Sequence, residues 1–135
     1  LRLAGYRQAM QEAGLPVSEQ LIRLAPYTQE QTRQAASELL SLPDAPTALF
    51  AATDFQALGV LKAARQLGIK VPERLAVVGF DDLDMADYAD LTTVRQYLDE
   101  SGRLAIEILL SRSADPSRPA QHIHIPLTII ERATA

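Results

Sequence analysis

The stretch VVGFDDLDMADYADLTTVRQ (residues 77–96) passes from an apolar run through a strongly acidic segment and back to apolar residues. Five aspartates lie within the ten residues 81–90. The apolar run, which begins at Leu75, lacks a polar face and is typical of a strand covered on both sides in a parallel sheet. Because loops and helix N-termini converge where parallel strands end, the polar residues directly after this run predict a ligand site at that edge.

Apolar strands alternate with amphipathic helices along the chain. The predicted order is a helix over 2–13, a strand over 21–24, a helix over 28–40, a strand over 47–52, a helix over 55–67, a strand over 75–80, a helix over 98–112 and a strand over 121–131. Thr28 and Gln31 form a capping-box signature at the start of the second helix. Strands that lack a polar, solvent-exposed face and are separated by helices indicate βα units in a parallel sheet with helices on both faces. The sequence therefore predicts an α/β fold.

The composition of the 135 residues excludes several classes of protein. Apolar residues make up 47% and charged residues 22%, with no apolar run of membrane-spanning length, so no membrane insertion is expected. There is no cysteine, which excludes disulfides and thiol chemistry and favours a reducing cytoplasm. The net charge is −4 and the basic residues are dispersed, so this chain alone is not expected to bind DNA or RNA.

Polar side chains converge at the predicted ligand edge. Asp81 follows one predicted strand, and Thr53 and Asp54 follow the preceding one. Arg2 opens the first helix, which has no start signal before it, so we expect the chain to be cut from a longer protein and Arg2 to follow a further strand. A carboxylate that accepts from paired hydroxyls and a guanidinium that donates to ring oxygens suit a neutral polyol or nucleoside.

Simpler interpretations compete at several of these positions. Asp54 is a good helix N-cap, and the other four aspartates of 81–90 fit a solvated loop, since their spacing does not match an EF-hand. His122 and His124 alternate on one strand face without a third metal ligand. The sequence contains no nucleophile elbow, phosphate-binding glycine loop or acid pair. No catalytic residue, metal or cofactor is therefore predicted, and a hydrolase is the weaker alternative.

The chain closely resembles the effector-binding region of the LacI/GalR family of bacterial transcriptional regulators. The matching segments follow the family order: RLAGY (2–6), PTALF (46–50), TD with ALG (53–54 and 57–59), G with VP (68 and 71–72), VVGFDD (77–82), LTTV with Q (91–94 and 96) and ERAT (131–134). Together they span nearly the whole chain and are specific as a set.

The resemblance implies a two-lobed, periplasmic-binding-protein-like body of type I, with a small ligand in the cleft between the lobes. Residues 1–93 would form the C-terminal lobe, incomplete at its start. Residues 94–120 would form a hinge crossing and a helix of the N-terminal lobe, and 121–135 the closing strands. The N-terminal helix-turn-helix and most of the N-terminal lobe would lie outside this chain, so DNA would be bound only through that missing helix-turn-helix.

The resemblance assigns Arg2, Asp81 and Gln96 to the effector pocket, with Gln96 reaching it from the hinge. Thr53 and Asp54 are further ligand-binding candidates. The family commonly has Asn where this chain has Thr53, so one hydroxyl replaces an amide donor and acceptor. An effector would act by binding one lobe arrangement better than the other. Because this coupling needs both lobes, we expect this chain alone to bind effector weakly or not at all.

The third predicted helix is apolar around more of its circumference than packing on one sheet face requires. Burial within one subunit and coverage by a partner subunit explain this pattern equally well. The resemblance favours a homodimer, whose interface would use Phe55, Leu58 and Leu61 of this helix together with Leu83 and Tyr88 of the acidic loop.

The primary hypothesis is therefore a sensor, the ligand-binding and dimerisation part of a LacI-type regulator, with a sugar or a nucleoside as its expected effector. A periplasmic sugar-binding protein of an ABC transporter shares the expected fold and is the alternative. An enzyme built on a doubly wound sheet is a third hypothesis.

Overall fold

The computed structural model describes residues 1–25 and 28–135. Helices and strands follow one another in this order: α1 Arg2–Glu12, α2 Gln29–Leu40, β1 Ala48–Phe50, α3 Asp54–Gln66, β2 Ala76–Val78, α4 Asp84–Tyr88, β3 Thr93–Arg95, α5 Leu98–Ala114 and β4 Thr128–Ile130. A short 3-10 turn, Glu19–Leu21, lies between α1 and α2.

Parallel strands form the centre of the fold. β1 pairs with β2 in parallel, with Ala48 opposite Ala76. On the other side of β2, the chain that leads into β3 runs in the same direction, since Gly79 N–H donates to the Thr92 carbonyl at 2.8 Å. The predicted α/β fold with a parallel sheet is confirmed.

The core lies between α2, α3 and the parallel strands. α2 approaches α3 closely at Gly59, where an added Cβ would lie 2.8 Å from the Gln29 carbonyl oxygen and 2.9 Å from Thr32 Cβ. The absence of a side chain at this position therefore lets the two helices pack backbone to backbone. The fully buried apolar residues are Ala57, Ala63, Ala64, Leu75, Val77, Ala86 and Leu91.

β3 begins at the edge of this core, where Thr93 is fully buried, and β4 and α5 follow it along the chain. β3 pairs antiparallel with β4, with Val94 opposite Ile129. The helix predicted over 98–112 is confirmed as α5, but none of its residues is buried, and Leu109 is 63% exposed. The assignment of 94–120 to a second lobe stays a prediction. No helix formed by the described residues has both the length and the hydrophobicity that a membrane span needs.

Three predicted details are wrong. The strand predicted over 21–24 is absent, because Leu21 ends the 3-10 turn and residues 22–25 pair with no strand among the described residues; this segment and β1 both line a cavity of about 360 Å³. The last strand is limited to β4, since only these residues lie opposite β3. The N-cap of α3 is not Asp54 but Thr53, whose hydroxyl accepts from Gln56 N–H at 3.1 Å.

Gly59→Ala tests the close contact between α2 and α3. The added Cβ would collide with backbone at 2.8 Å. We expect the free energy of unfolding to fall by about 1–3 kcal/mol, although alanine favours a helix by about 1 kcal/mol over glycine. Urea unfolding followed by circular dichroism measures the change.

Gly102→Ala in α5 is the matched control, because an added Cβ would meet nothing within 4 Å. This substitution should leave stability unchanged or raise it. Equal effects of the two substitutions would contradict the packing described for α2 and α3.

Candidate functional site

Arg2, Asp81 and Gln96 meet at the carboxyl ends of the parallel strands, and we call them the rim cluster. Asp81 Oδ1 accepts hydrogen bonds from Arg2 Nη2 at 3.0 Å and from Gln96 Nε2 at 2.5 Å. Arg2 opens α1, Asp81 lies beyond β2 and Gln96 directly follows β3, so three segments supply the cluster. The side chains of Arg2 and Asp81 are 33% and 15% exposed, which leaves the cluster partly open to solvent.

Arg2 is fixed by the ends of both central strands. Its guanidinium carbon lies 4.0 Å from the ring centroid of Phe80, which follows β2. Its Nη1 donates to the carbonyl of Ala52, which follows β1. The cation–π contact and the hydrogen bonds hold the guanidinium fork in one orientation. Arg2 is therefore a preorganised donor at the edge of the sheet.

Asp81 and Asp82 leave β2 through an unusual backbone turn. Their φ angles are 122° and 56°, values that residues other than glycine rarely adopt. Each such conformation costs of the order of 1–3 kcal/mol and persists only when the surroundings hold it. The turn sends the two carboxylates in different directions, Asp81 into the rim cluster and Asp82 towards Arg95 and Arg132.

Asp82 joins both antiparallel strands to this turn. It accepts hydrogen bonds from Arg95 Nε at 2.5 Å and from Arg132 Nη2 at 2.9 Å, and its side chain is 5% exposed. Arg95 ends β3, and Arg132 lies two residues beyond β4. Burial by itself would raise the pKa of Asp82, but the hydrogen bonds and charges of the two arginines outweigh it and hold the pKa below its ordinary value.

The pKa of Asp81 moves in the opposite direction. Burial raises the pKa of Asp81 above its ordinary value, and the nearby charge of Asp54 adds to the rise. The charge of Arg2 and the hydrogen bonds from Arg2 and Gln96 oppose the rise without cancelling it. A carboxylate that is poorly compensated and still partly open to solvent is a candidate ligand contact.

Thr53 and Asp54 are not part of the rim cluster. Thr53 is half-buried and its hydroxyl caps α3. Asp54 is fully buried, and its oxygens accept internal hydrogen bonds, from Leu83 N–H at 2.8 Å and from the Thr93 hydroxyl at 2.5 Å. Asp54 thus lies beneath the cluster with its oxygens occupied. A direct effector contact by either residue stays a prediction.

An open cavity of about 460 Å³ adjoins the rim cluster between the turn after β2, the end of β3 and the start of α5. Its lining residues are Asp81, Asp82, Leu83, Asp84, Met85, Arg95, Tyr97, Leu98 and Asp99. Sequence reasoning missed Arg95, Tyr97 and Arg132, although the first two flank Gln96 and the third lies in the matched ERAT segment. Tyr97 has a φ of 53° and its hydroxyl lies 3.0 Å from that of Thr128 in β4.

The residues predicted for a dimer interface differ in exposure, and one of them, Leu83, also lines this cavity. Phe55 and Leu83 are each 39% exposed and Tyr88 is 91% exposed. Leu58 and Leu61 are half-buried, and Leu61 packs against the core. Among the described residues, no group of three or more His, Cys, Asp or Glu side chains is arranged to hold a metal ion.

Comparison with curated proteins shows one consistent similarity. A family model described as periplasmic binding protein-like domain matches residues 1–135. The HTH-type transcriptional repressor CytR of Escherichia coli strain K12 is 42% identical over 113 residues, which cover 82% of this chain and 33% of that repressor. The ribose operon repressor of the same strain is 36% identical across 100% of this chain and 42% of its own length. The chain therefore spans about a third to two-fifths of these relatives.

Solved structures show the same similarity. A regulatory protein of the LacI family from Chloroflexus aggregans has a TM-score of 0.92 and 36% identity, covering 98% of this chain and 49% of that one. The transcriptional regulator CelR in complex with cellobiose has a TM-score of 0.90 and 31% identity, covering 99% and 42%. A LacI family regulator from Enterococcus faecium with bound ribose has a TM-score of 0.86 and 28% identity, covering 98% and 50%.

Asp82→Asn tests the hydrogen-bonded ion pairs of Asp82 with Arg95 and Arg132, which connect the turn to the antiparallel strands. Because folding lowers the pKa of Asp82, its contribution to stability is present above about 3.8, the ordinary value, and is lost as the pH falls through the folded value. At neutral pH we expect the substitution to lower the free energy of unfolding by about 1–3 kcal/mol. Urea unfolding as a function of pH should show this difference shrinking below about 3.8.

Asp81→Asn should not lower the free energy of unfolding at neutral pH, in contrast to Asp82→Asn. Folding raises the pKa of Asp81, so its charge lowers stability once the pH exceeds the folded value. We expect stability at neutral pH to be unchanged or higher. Asp44→Asn, at an exposed position before β1, is the control for an acid-to-amide change. A larger loss from Asp81→Asn than from Asp82→Asn would contradict the electrostatic account.

Proposed function

This chain belongs to the LacI family of transcriptional regulators, as an effector-binding domain of periplasmic-binding-protein-like fold, and we propose that it binds a sugar or a nucleoside and dimerises. The observation that carries the effector proposal is the meeting of Arg2, Asp81 and Gln96 at the carboxyl edge of the sheet. A carboxylate, an amide and a guanidinium fork together match the donors and acceptors of a neutral, hydroxylated ligand.

Asp81 is the proposed anchor for effector hydroxyls. Its side-chain hydrogen bonds with Arg2 and Gln96 both reach Oδ1, so Oδ2 is the oxygen that would accept from the effector. Gln96 adds an amide that both donates and accepts, and Arg2 donates to ring or hydroxyl oxygens. The cellobiose-bound and ribose-bound relatives support this ligand class, since both sugars present hydroxyls and no charge.

Effector binding would act through β3, which ends beside the rim cluster. Gln96 directly follows β3, and Asp82 binds Arg95 at the end of the same strand. An effector that contacts Asp81 and Gln96 together favours the arrangement in which these residues are adjacent. It shifts DNA binding only by its difference in affinity between arrangements. DNA would be bound by a helix-turn-helix outside these residues, in the cytoplasm beside the chromosome.

The relatives favour regulation over the alternatives. CytR and the ribose operon repressor are named as repressors, and the solved neighbours are named as regulators. This favours a regulator over the sugar-binding protein of an ABC transporter, which shares the fold. The same names favour a binding protein over an enzyme.

Thermal unfolding with added ligand tests the effector proposal. Ribose, cellobiose, adenosine and cytidine are each added in excess to the longest natural polypeptide that contains this chain and, in parallel, to this chain alone. A ligand selective for the folded state stabilises it by about 2.7 kcal/mol at a hundredfold excess over Kd. We expect a neutral sugar or nucleoside to raise the melting temperature of the longer polypeptide, and to have a smaller effect or none on this chain alone.

Asp81→Asn removes the charged acceptor and should weaken effector binding by about tenfold to a hundredfold. Asp44→Asn, the exposed acid-to-amide control, should bind as the unaltered protein does. Full binding by Asp81→Asn, or a response to charged metabolites alone, would contradict the proposal.

We propose that a homodimer interface contains Phe55, Leu58, Leu61, Leu83 and Tyr88. Phe55→Asp tests this interface, because a two-fold interface would contain the new charge twice. We expect the dissociation constant to rise by about a hundredfold or more, as measured by sedimentation velocity. Folding should be retained, because aspartate is favourable in the first turn of α3.

Leu109→Asp in α5 is the control for the dimer, since Leu109 is also apolar and is 63% exposed. This substitution should leave the dimer intact. Dissociation by Leu109→Asp with no effect of Phe55→Asp would place the interface elsewhere.

A further inference from the structure

A carboxylate without solvent exposure lies beneath the rim cluster. Asp54 is 0% exposed and is the first residue of α3. Its backbone N–H donates to the carbonyl of Phe80 at 2.7 Å, which ties the start of α3 to the end of β2. A buried carboxylate costs folding free energy unless its oxygens are well bonded. The structural role of Asp54 therefore follows from the groups that donate hydrogen bonds to its two oxygens.

The two oxygens of Asp54 hold two different segments. Oδ2 accepts from Leu83 N–H at 2.8 Å, and Oδ1 accepts from the Thr93 hydroxyl at 2.5 Å. Leu83 lies at the end of the turn that carries Asp81, and Thr93 begins β3, three residues before Gln96. One carboxylate thus links the segments that supply two members of the rim cluster.

Gly79 leaves room for this carboxylate. An added Cβ at Gly79 would collide with Oδ1 of Asp54 and would lie 2.8 Å from Leu91 Cδ2. A side chain at position 79 would therefore displace the acid from its two partners. The glycine after β2 therefore allows the Asp54 carboxylate at the start of α3 to pack directly against the backbone of residue 79.

We propose that Asp54 is a positioning residue for the effector site, which holds Leu83 and Thr93 in place and thereby sets the distance between the Asp81 carboxylate and the Gln96 amide. Asp81 and Asp82 have φ angles of 122° and 56°, and the bond to Leu83 N–H holds the end of this strained turn. The functional role of this distance rests on the proposed effector function. The contacts of Asp54 with Leu83 and Thr93 are observed in the structure and do not depend on that proposal.

NMR of Asp54→Asn in this chain tests the proposal without any effector. Asparagine keeps the size of the side chain but loses the charge and one acceptor oxygen, so it can accept from Leu83 N–H or from the Thr93 hydroxyl but not from both. Because Leu83 N–H loses its charged acceptor in either orientation, we expect the Leu83 amide to exchange its hydrogen about tenfold faster or more. We also expect the side-chain amide signals of Gln96 to move towards those of solvent-exposed glutamine. The Val77 amide in β2 should change only as much as global stability does.

Thr93→Val and Thr93→Ser are the second, matched pair, and they decide the matter if Asp54→Asn does not fold. Valine removes the hydroxyl and keeps the shape, whereas serine keeps the hydroxyl and removes a methyl group. We expect valine, and not serine, to shift the Gln96 side-chain signals. The proposal is overturned if Leu83 exchange and the Gln96 signals follow global stability alone in every folded variant.

Failure of this inference is distinguishable from failure of the proposed function. Exchange at Leu83 and the signals of Gln96 are read without ligand, whereas the effector proposal is decided by thermal unfolding with sugars and nucleosides. Normal positioning with no ligand response would reject the effector class alone.

Discussion

Two backbone hydrogen bonds hold the segment that carries Asp81 beside the segment that leads to Gln96. Gly79 N–H donates to the Thr92 carbonyl at 2.8 Å and Asp81 N–H donates to the Val94 carbonyl at 2.9 Å. They hold the chain that enters β3 alongside β2 in the same direction. Because parallel neighbours cannot be joined by a tight hairpin, the acidic stretch 81–90 must leave the sheet and re-enter it. The aspartates lie on this connection between the two strands, and the return of the chain brings Gln96 beside Asp81.

Three aspartates near this edge have the same side chain and different environments. Asp82 is paired with two arginines and has a lowered pKa. Asp54 is fully buried and bonded to a backbone amide and a hydroxyl. Asp81 has a raised pKa and is still partly open to solvent. Partners and burial thus distinguish Asp82, which connects two strands, from Asp54, which holds a turn, and from Asp81, which we propose contacts the effector.

The fold class and the positions of Arg2 and Asp81 were predictable, because apolar periodicity locates the strand ends and helix starts from which these two residues emerge. Gln96 was assigned only by the resemblance to the LacI/GalR family. The partners of Asp54 were not predictable, since they depend on which amide and hydroxyl face it in three dimensions. Thr53 and Asp54 both suit a helix cap locally, so spacing alone could not choose between them. The strand predicted over 21–24 was wrong because local extension is insufficient without a hydrogen-bonded neighbour.

A crystal structure of the longest natural polypeptide containing this chain, with a neutral sugar or nucleoside bound, tests the central claim most directly. The account predicts effector hydroxyls within about 2.6–3.2 Å of the Asp81 carboxylate, with Gln96 and Arg2 contacting the same molecule. An effector bound in a defined position away from these three side chains, with their mutual hydrogen bonds unchanged, would contradict it.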